Sequence, residues 1–282
     1  MGRKQDCLID VKLSQKKANF ATSRRNFLAG ISMATVLIGS HAAGSRRAAA
    51  QALGNSCSRP NPPPKCSVIC FLEGTQIRTP RGELPIEDLK IGDTVITVSG
   101  EEKPIRWLAE MTHKRRGTRW DTNVRPIKIE KGALGPALPH TDLLVSGAHR
   151  LFIENALMPA IDLVNGRSVR RLDCQELNEL IYYHIELSNH DVVIANGVPA
   201  ETLQGNQNRK KFDNYDEYRK LYGPDLIALQ ACAPTIGNFG GRDELKSRLR
   251  SIIAPLWDCR KPHDRIRDHV ADRAERTGQC AA

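Results

Sequence analysis

From Cys70 to about Leu203 the chain is written in short alternating segments separated by turn signals, a texture that leads to an all-β fold. Pro80-Arg81-Gly82 divides Gln76–Thr79 from Glu83–Ile86, and Ser99-Gly100 separates Thr94–Val98 from Pro104–Leu108. Arg125–Glu130 and Ser168–Asp173 alternate apolar and polar residues. Leu143-Leu144-Val145 and Leu151-Phe152-Ile153 bracket Ser146-Gly147-Ala148-His149, and Leu180–Leu187 and Val192–Ala195 bracket His190. Strands this short bury an apolar face by packing sheet on sheet or by closing on themselves, so a sandwiched or closed domain is predicted. From about Gly205 the period lengthens to that of helices, over Phe212–Tyr222, Arg242–Ile253 and Pro262–Arg276. Leu245, Leu249, Ile252 and Ile253 are predicted to form a buried stripe, while Ile266, Val270 and Ala274 give the narrower stripe of a surface helix.

The net charge of +10 over 282 residues suggests a polyanion binder until it is located. Residues 1–50 hold nine of the 42 Lys/Arg and two of the 32 Asp/Glu, a net +7, which leaves +3 for the other 232 residues. That is too little to imply a nucleic-acid partner, and the basic cluster His113-Lys114-Arg115-Arg116 with Arg119 reads as a solvated loop. Within the basic segment, Ser23-Arg24-Arg25-Asn26-Phe27-Leu28 resembles the twin-arginine export motif. A weakly apolar run from Phe27 to Gly39 follows, then Ala48-Ala49-Ala50 as a cleavage site. The run is short of the ~20 residues of a permanent span. The expectation is export of folded protein to the periplasm or beyond, with the export machinery as partner, no permanent membrane span, and tethering if the signal stays uncut. Gln51–Ile69, with Pro60, Pro62, Pro63 and Pro64, reads as a linker. The domain plan is therefore 1–50 signal, 51–69 linker, 70–204 β domain and 205–282 helical extension.

Seven cysteines follow the signal: Cys57, Cys66, Cys70, Cys174, Cys232, Cys259 and Cys280. The odd number predicts one free thiol and up to three disulfides in an oxidising compartment. The spacing of Cys57, Cys66 and Cys70 is not that of a zinc site, and no metal or other cofactor is predicted. A disulfide from Cys57 or Cys66 to Cys70 is a competing use of that sulfur.

Cys70 is the candidate reactive thiol. Its sulfur could attack the carbonyl of Ile69 and replace the Ile69–Cys70 peptide bond by a thioester. An amide is the more stable species, so the fold must help: by strain, by protonating the leaving nitrogen, and by holding the tetrahedral oxygen. His149 is the candidate proton donor to that nitrogen. The Ser146 hydroxyl is the candidate for holding the scissile amide or the oxygen, and His190 the candidate second acid/base. A free thiol near pKa 8.5 is only about 3% ionised at neutral pH, so activation is also required.

Cys70-Phe71-Leu72-Glu73-Gly74-Thr75, Gln76-Ile77-Arg78-Thr79-Pro80 and Gly92-Asp93-Thr94-Val95 resemble the opening of a Hint domain, the module shared by hedgehog autoprocessing domains and inteins. Ser146-Gly147-Ala148-His149-Arg150 resembles that family's Thr-x-x-His segment, with Ser for Thr. Tyr183-His184-Ile185-Glu186-Leu187, His190-Asp191-Val192-Val193 and Ala195-Asn196-Gly197-Val198 resemble its closing strands, and Ala200-Glu201-Thr202 fits a bacterial subgroup. The resemblance covers about residues 70–204. It implies a flattened β horseshoe with pseudo-two-fold symmetry and Cys70 at its centre, here followed by the small helical region. Inteins end in His-Asn, whose Asn cyclises; Pro199-Ala200-Glu201-Thr202 stands here instead, so full splicing is not expected.

The expected activity is single-turnover, hedgehog-like cleavage at Ile69–Cys70, with the chain's own N-terminal segment as substrate. An outside nucleophile (water, a thiol, an amine or an alcohol) resolves the thioester. If the signal is cut after Ala50, nineteen residues precede Cys70, a small product for such machinery. The alternative is an exported module of the same fold without catalysis.

Overall fold

The structure, a computed structural model, describes residues 69–224, 229–237 and 241–280. The expected signal with Arg24 and Arg25, and the expected linker up to Val68, lie outside the described residues.

Fourteen strands are present among the described residues: β1 (Phe71–Leu72), β2 (Gln76–Thr79), β3 (Gly82–Pro85), β4 (Thr94–Ile96), β5 (Glu102–Pro104), β6 (Trp107–Lys114) and β7 (Ile127–Ile129). Then come β8 (Leu143–Val145), β9 (Arg150–Ile153), β10 (Ala156–Pro159), β11 (Val169–Arg171), β12 (Glu179–Glu186), β13 (Val192–Ala195) and β14 (Val198–Glu201). They form two six-stranded sheets, ordered β11-β7-β8-β1-β12-β6 and β10-β9-β14-β13-β2-β3, with β4 and β5 as a separate ribbon. The all-β horseshoe followed by a small helical region is the observed architecture.

Local chemistry explains the turns. β13 and β14 are joined by Asn196-Gly197, both at positive φ (48° and 83°), which is the two-residue hairpin turn that matches strand twist. Glu154-Asn155 does the same between β9 and β10, at φ 49° and 63°. The Asn196 side chain also accepts from Gln76 N–H and donates to Asp142 O, tying the turn to β2 and to the loop before β8.

The chain crosses from the first sheet to the second directly after β1. Phe71 packs with Ile77, Val95, Ile127, Val145, Tyr183, Ile185 and Val193 in the larger core cluster, which joins the two sheets. Cys70 and Leu72 point into a second cluster with Trp107, Met111, Trp120, Leu180 and Tyr182. The first sheet is therefore buried on both faces, which is why Leu180–Leu187 reads as a near-continuous apolar run. Glu186, on β12, is wholly buried and receives Arg209 Nε at 2.6 Å.

Among the described residues three α-helices follow: α1 (Tyr215–Tyr222), α2 (Gly241–Ile253) and α3 (Pro262–Cys280). The α3 stripe is as predicted, with Ile266, Val270 and Ala274 buried. The α2 stripe is not. Leu245, Leu249, Ile252 and Ile253 are 61%, 51%, 71% and 43% exposed. The reason is that α2 turns its polar side to α3. Ser247 meets Asp264, Arg250 Nε lies 2.6 Å from Asp264 Oδ2, and Ser251 Oγ donates to Asp268 Oδ1 at 3.0 Å. No helix among the described residues is long and apolar enough to cross a membrane.

Candidate functional site

Cys70 is wholly buried and carries a free thiol. Cys232 and Cys259 are also free, which corrects the expectation of a single unpaired thiol. β1 runs between β8 and β12, and those two strands decide what meets Cys70. Phe71 pairs with Val145 on one side and Tyr183 on the other. One step back along both ladders, Cys70 falls opposite Ser146 and opposite His184. Cys70 N–H donates to Ser146 Oγ at 2.9 Å, and Ser146 N–H donates to Cys70 O at 2.9 Å. The first of these bonds engages the nitrogen of the Ile69–Cys70 peptide bond itself.

His149 follows Ser146 by one tight turn, closed by His149 N–H donating to Ser146 O at 3.1 Å. Its ring lies against Phe71, with centroids 4.2 Å apart, and 5.1 Å from the ring of His184. Both imidazoles are wholly buried, and none of their nitrogens has a hydrogen-bond partner among the described residues. Burial pushes the His149 pKa down to about 4, with Glu201 opposing and Arg150 reinforcing the shift. Burial, then His149, His190 and Arg150, hold His184 well below the ordinary histidine range. Burial likewise pushes the Cys70 thiol up. At neutral pH the Cys70 thiol is neutral and both imidazoles are neutral, each ring with an uncommitted lone pair. A buried polar group without a partner costs about 1–3 kcal/mol, and such costs concentrate at functional sites.

His190 belongs to an adjoining cluster. Cys232 N–H donates to His190 Nδ1 at 3.0 Å, and His190 Nε2 lies 3.4 Å from Glu201 Oε2. Glu201 Oε1 accepts from Arg150 N–H at 3.0 Å and Arg150 Nε at 2.8 Å. Burial lowers the His190 pKa, but the Cys232 and Glu201 side chains outweigh it and push it up to about 9. The backbone donor at Nδ1 works the other way, because it needs the lone pair of the neutral ring. Burial of Glu201 raises its pKa, but His190 and Arg150 overcome this and hold the carboxyl low.

The structure thus brings Ser146 onto Cys70 and sets His149 beside its neighbour Phe71. No hydrogen bond joins His149 or His190 to residue 70. Sequence reasoning gave no role to His184, Arg150 or Glu201. The available signal for His184 was a polar residue inside an apolar strand.

The basic loop opens on a cleft of about 1010 Å³ lined by His113, Lys114, Arg116, Arg119 and Trp120. Asp121, Glu179 and Asp213 share the lining, so its charge is mixed. Among the described residues no group of three or more His, Cys, Asp or Glu is arranged to hold a metal.

The Hint domain family model matches residues 69–207, just under half of the chain. No curated protein matches the chain. Among solved structures, the MchDnaB-1 intein is 17% identical at TM-score 0.35, covering 46% of this chain and 98% of that one. The bacterial intein-like domain from Clostridium thermocellum is 16% identical at TM-score 0.36, covering 48% of this chain and 100% of that one. A DnaB intein from Synechocystis is 8% identical at TM-score 0.33, covering 48% of this chain and 98% of that one.

Proposed function

We propose that the Hint domain at residues 69–207 cleaves the Ile69–Cys70 peptide bond of its own chain through a thioester. A neutral imidazole, His149 or His184, takes the thiol proton of Cys70. The sulfur adds to the Ile69 carbonyl carbon, and the carbon–nitrogen bond breaks. The proton taken from sulfur is delivered to the leaving nitrogen, so the imidazole ends as it began. An outside nucleophile then attacks the thioester, releases the N-terminal segment and returns the thiol.

The observation that carries this reading is the 2.9 Å hydrogen bond from Cys70 N–H to Ser146 Oγ, which engages the nitrogen that must leave. The depressed His149 pKa supports a role as base first and acid second, in place of an imidazolium donor. His190 acts through Glu201, whose charge bears on His149. Cleavage without splicing is favoured because Pro199-Ala200-Glu201-Thr202 stands in the closing segment, with no Asn there to cyclise. The protein folds and is exported through its Arg24-Arg25 signal to the periplasm or beyond, and cleavage there detaches the domain from whatever precedes Cys70.

Full-length protein treated with a strong small thiol should release the fragment ending at Ile69, read by mass spectrometry. Cys70→Ala should not release it. An intact wild type after prolonged treatment would sink the proposal. A second reading, a binding module without catalysis, draws on the complete burial of Cys70 and the absence, among the described residues, of any base bonded to it. Alkylation separates the two: a Cys70 that stays unmodified in folded protein while no fragment appears supports the module.

A further inference from the structure

α2 and α3 form a hairpin with its chemistry reversed. Their contact is polar: besides the bonds of Ser247, Arg250 and Ser251, Arg267 Nη1 donates to Ser247 Oγ at 2.6 Å and Nη2 to Ser251 Oγ at 2.9 Å. The apolar side of α2 faces water instead. The stripe continues past the helix end, where Leu256 is 93% and Trp257 77% exposed. At 100° per residue, Leu245, Leu249, Ile252 and Ile253 fall on one face, with Lys246 along one edge and Arg248 along the other. Both flanking residues are exposed, as are Lys261 and Arg265 nearby. Asp258 is engaged by Arg260, and Arg250 by Asp264.

A contiguous apolar ridge of this kind is not left in water without a use. Its convex form offers no groove. A second copy seated on it would bring basic edge against basic edge. Apolar stripe, basic flanks and a tryptophan at the tip are the pattern of a helix that lies in a lipid interface, with the stripe among acyl chains and the cations at headgroup phosphates. We infer that α2 with Leu256 and Trp257 docks this protein on an anionic phospholipid surface. The surface lies outside the Hint domain, and the inference does not depend on the cleavage chemistry.

Trp257 provides its own readout, because the other two tryptophans, Trp107 and Trp120, are buried. Full-length Cys70→Ala protein is mixed with vesicles of equal parts phosphatidylglycerol and phosphatidylcholine, and with phosphatidylcholine alone. The expected result is a blue shift of the emission and co-sedimentation with the anionic vesicles, both reduced by high salt. Leu256→Glu and Ile252→Glu should each weaken the blue-shifted binding by about tenfold or more, with thermal unfolding unchanged. Lys246→Glu should weaken it while leaving the apolar stripe intact. Trp257→Phe should sediment without the shift. A blue shift that follows protein concentration without vesicles, with a doubled mass in solution, overturns the inference in favour of a second copy. Equal binding to neutral vesicles, or no shift with either, overturns it as well.

Discussion

At the scale of single residues the site is a set of buried groups held for each other. Ser146 Oγ is the acceptor for a backbone N–H that has no other route to water. Ser146→Ala leaves that donor unpaired, so stability should fall by about 1–3 kcal/mol in urea titration. Thiol-induced cleavage should fall with it. Ser146→Thr should restore both, since the acceptor returns; a Thr variant as poor as Ala would show that the hydroxyl is not the operative group. His149→Ala and His184→Ala should each slow cleavage by about 10²–10⁴-fold if both handle the proton. Loss in one variant alone assigns the base. The pH dependence has a definite sign. An imidazole with a folded pKa of about 4 against 6.5 ordinarily gives stability that is complete above 6.5 and lost as pH falls through 4. The contribution of His149 is about 3 kcal/mol. His184 and Glu201 act in the same direction. The urea midpoint should therefore drop between about pH 7 and pH 4.5, and drop less in His149→Gln. An equal drop in both proteins would remove His149 from the account.

At the scale of elements, strand order does most of the positioning. β1 has two residues, and only its place between β8 and β12 lines up Ser146 and His184 with Cys70. Turn chemistry sets register in the second sheet, where Asn196-Gly197 joins β13 to β14. Gly197 sits at φ +83°, and a Cβ there would lie 2.8 Å from His140 Cδ2. Gly197→Ala should lower stability by at least about 1–2 kcal/mol through the left-handed backbone alone, with the His140 clash in addition. A neutral effect in thermal unfolding would mean the hairpin can rearrange. Much of this level was legible in the sequence. Alternation located most strands, and Pro80-Arg81-Gly82 marked the turn between β2 and β3, because two-residue loops demand particular residues. β10 and β14 went unassigned because Pro159 and Pro199 mask strand pattern, although in each the lost N–H falls in a short strand that still pairs. Roles for His184 and Glu201 were not legible, since each depends on strands distant in sequence.

At the scale of the whole molecule, the contrast between α2 and α3 is decisive. Val270 of α3 is buried in the main core, whereas Leu249 of α2 is 51% exposed, although α2 carries the broader apolar stripe in sequence. Val270→Asp should lower the melting temperature sharply, since it places a charge in the core, and Leu249→Asp should leave it nearly unchanged. Equal losses would mean that α2 packs inward. Export is tested on the same scale: Arg24→Lys with Arg25→Lys should retain the protein in the cytoplasm, and unchanged export would exclude the twin-arginine route. The sequence by itself determined the β domain and singled out Cys70, Ser146 and His149 as candidates. Strand alternation, turn residues and the local order of chemical groups are properties of neighbours along the chain. Only the tertiary structure decided that Ser146 meets the Cys70 amide, that His184 joins the site, that His190 turns to Glu201, and that the α2 stripe faces out. Each of these depends on which segments distant in sequence come together, and a periodic pattern names a face without naming what that face will meet.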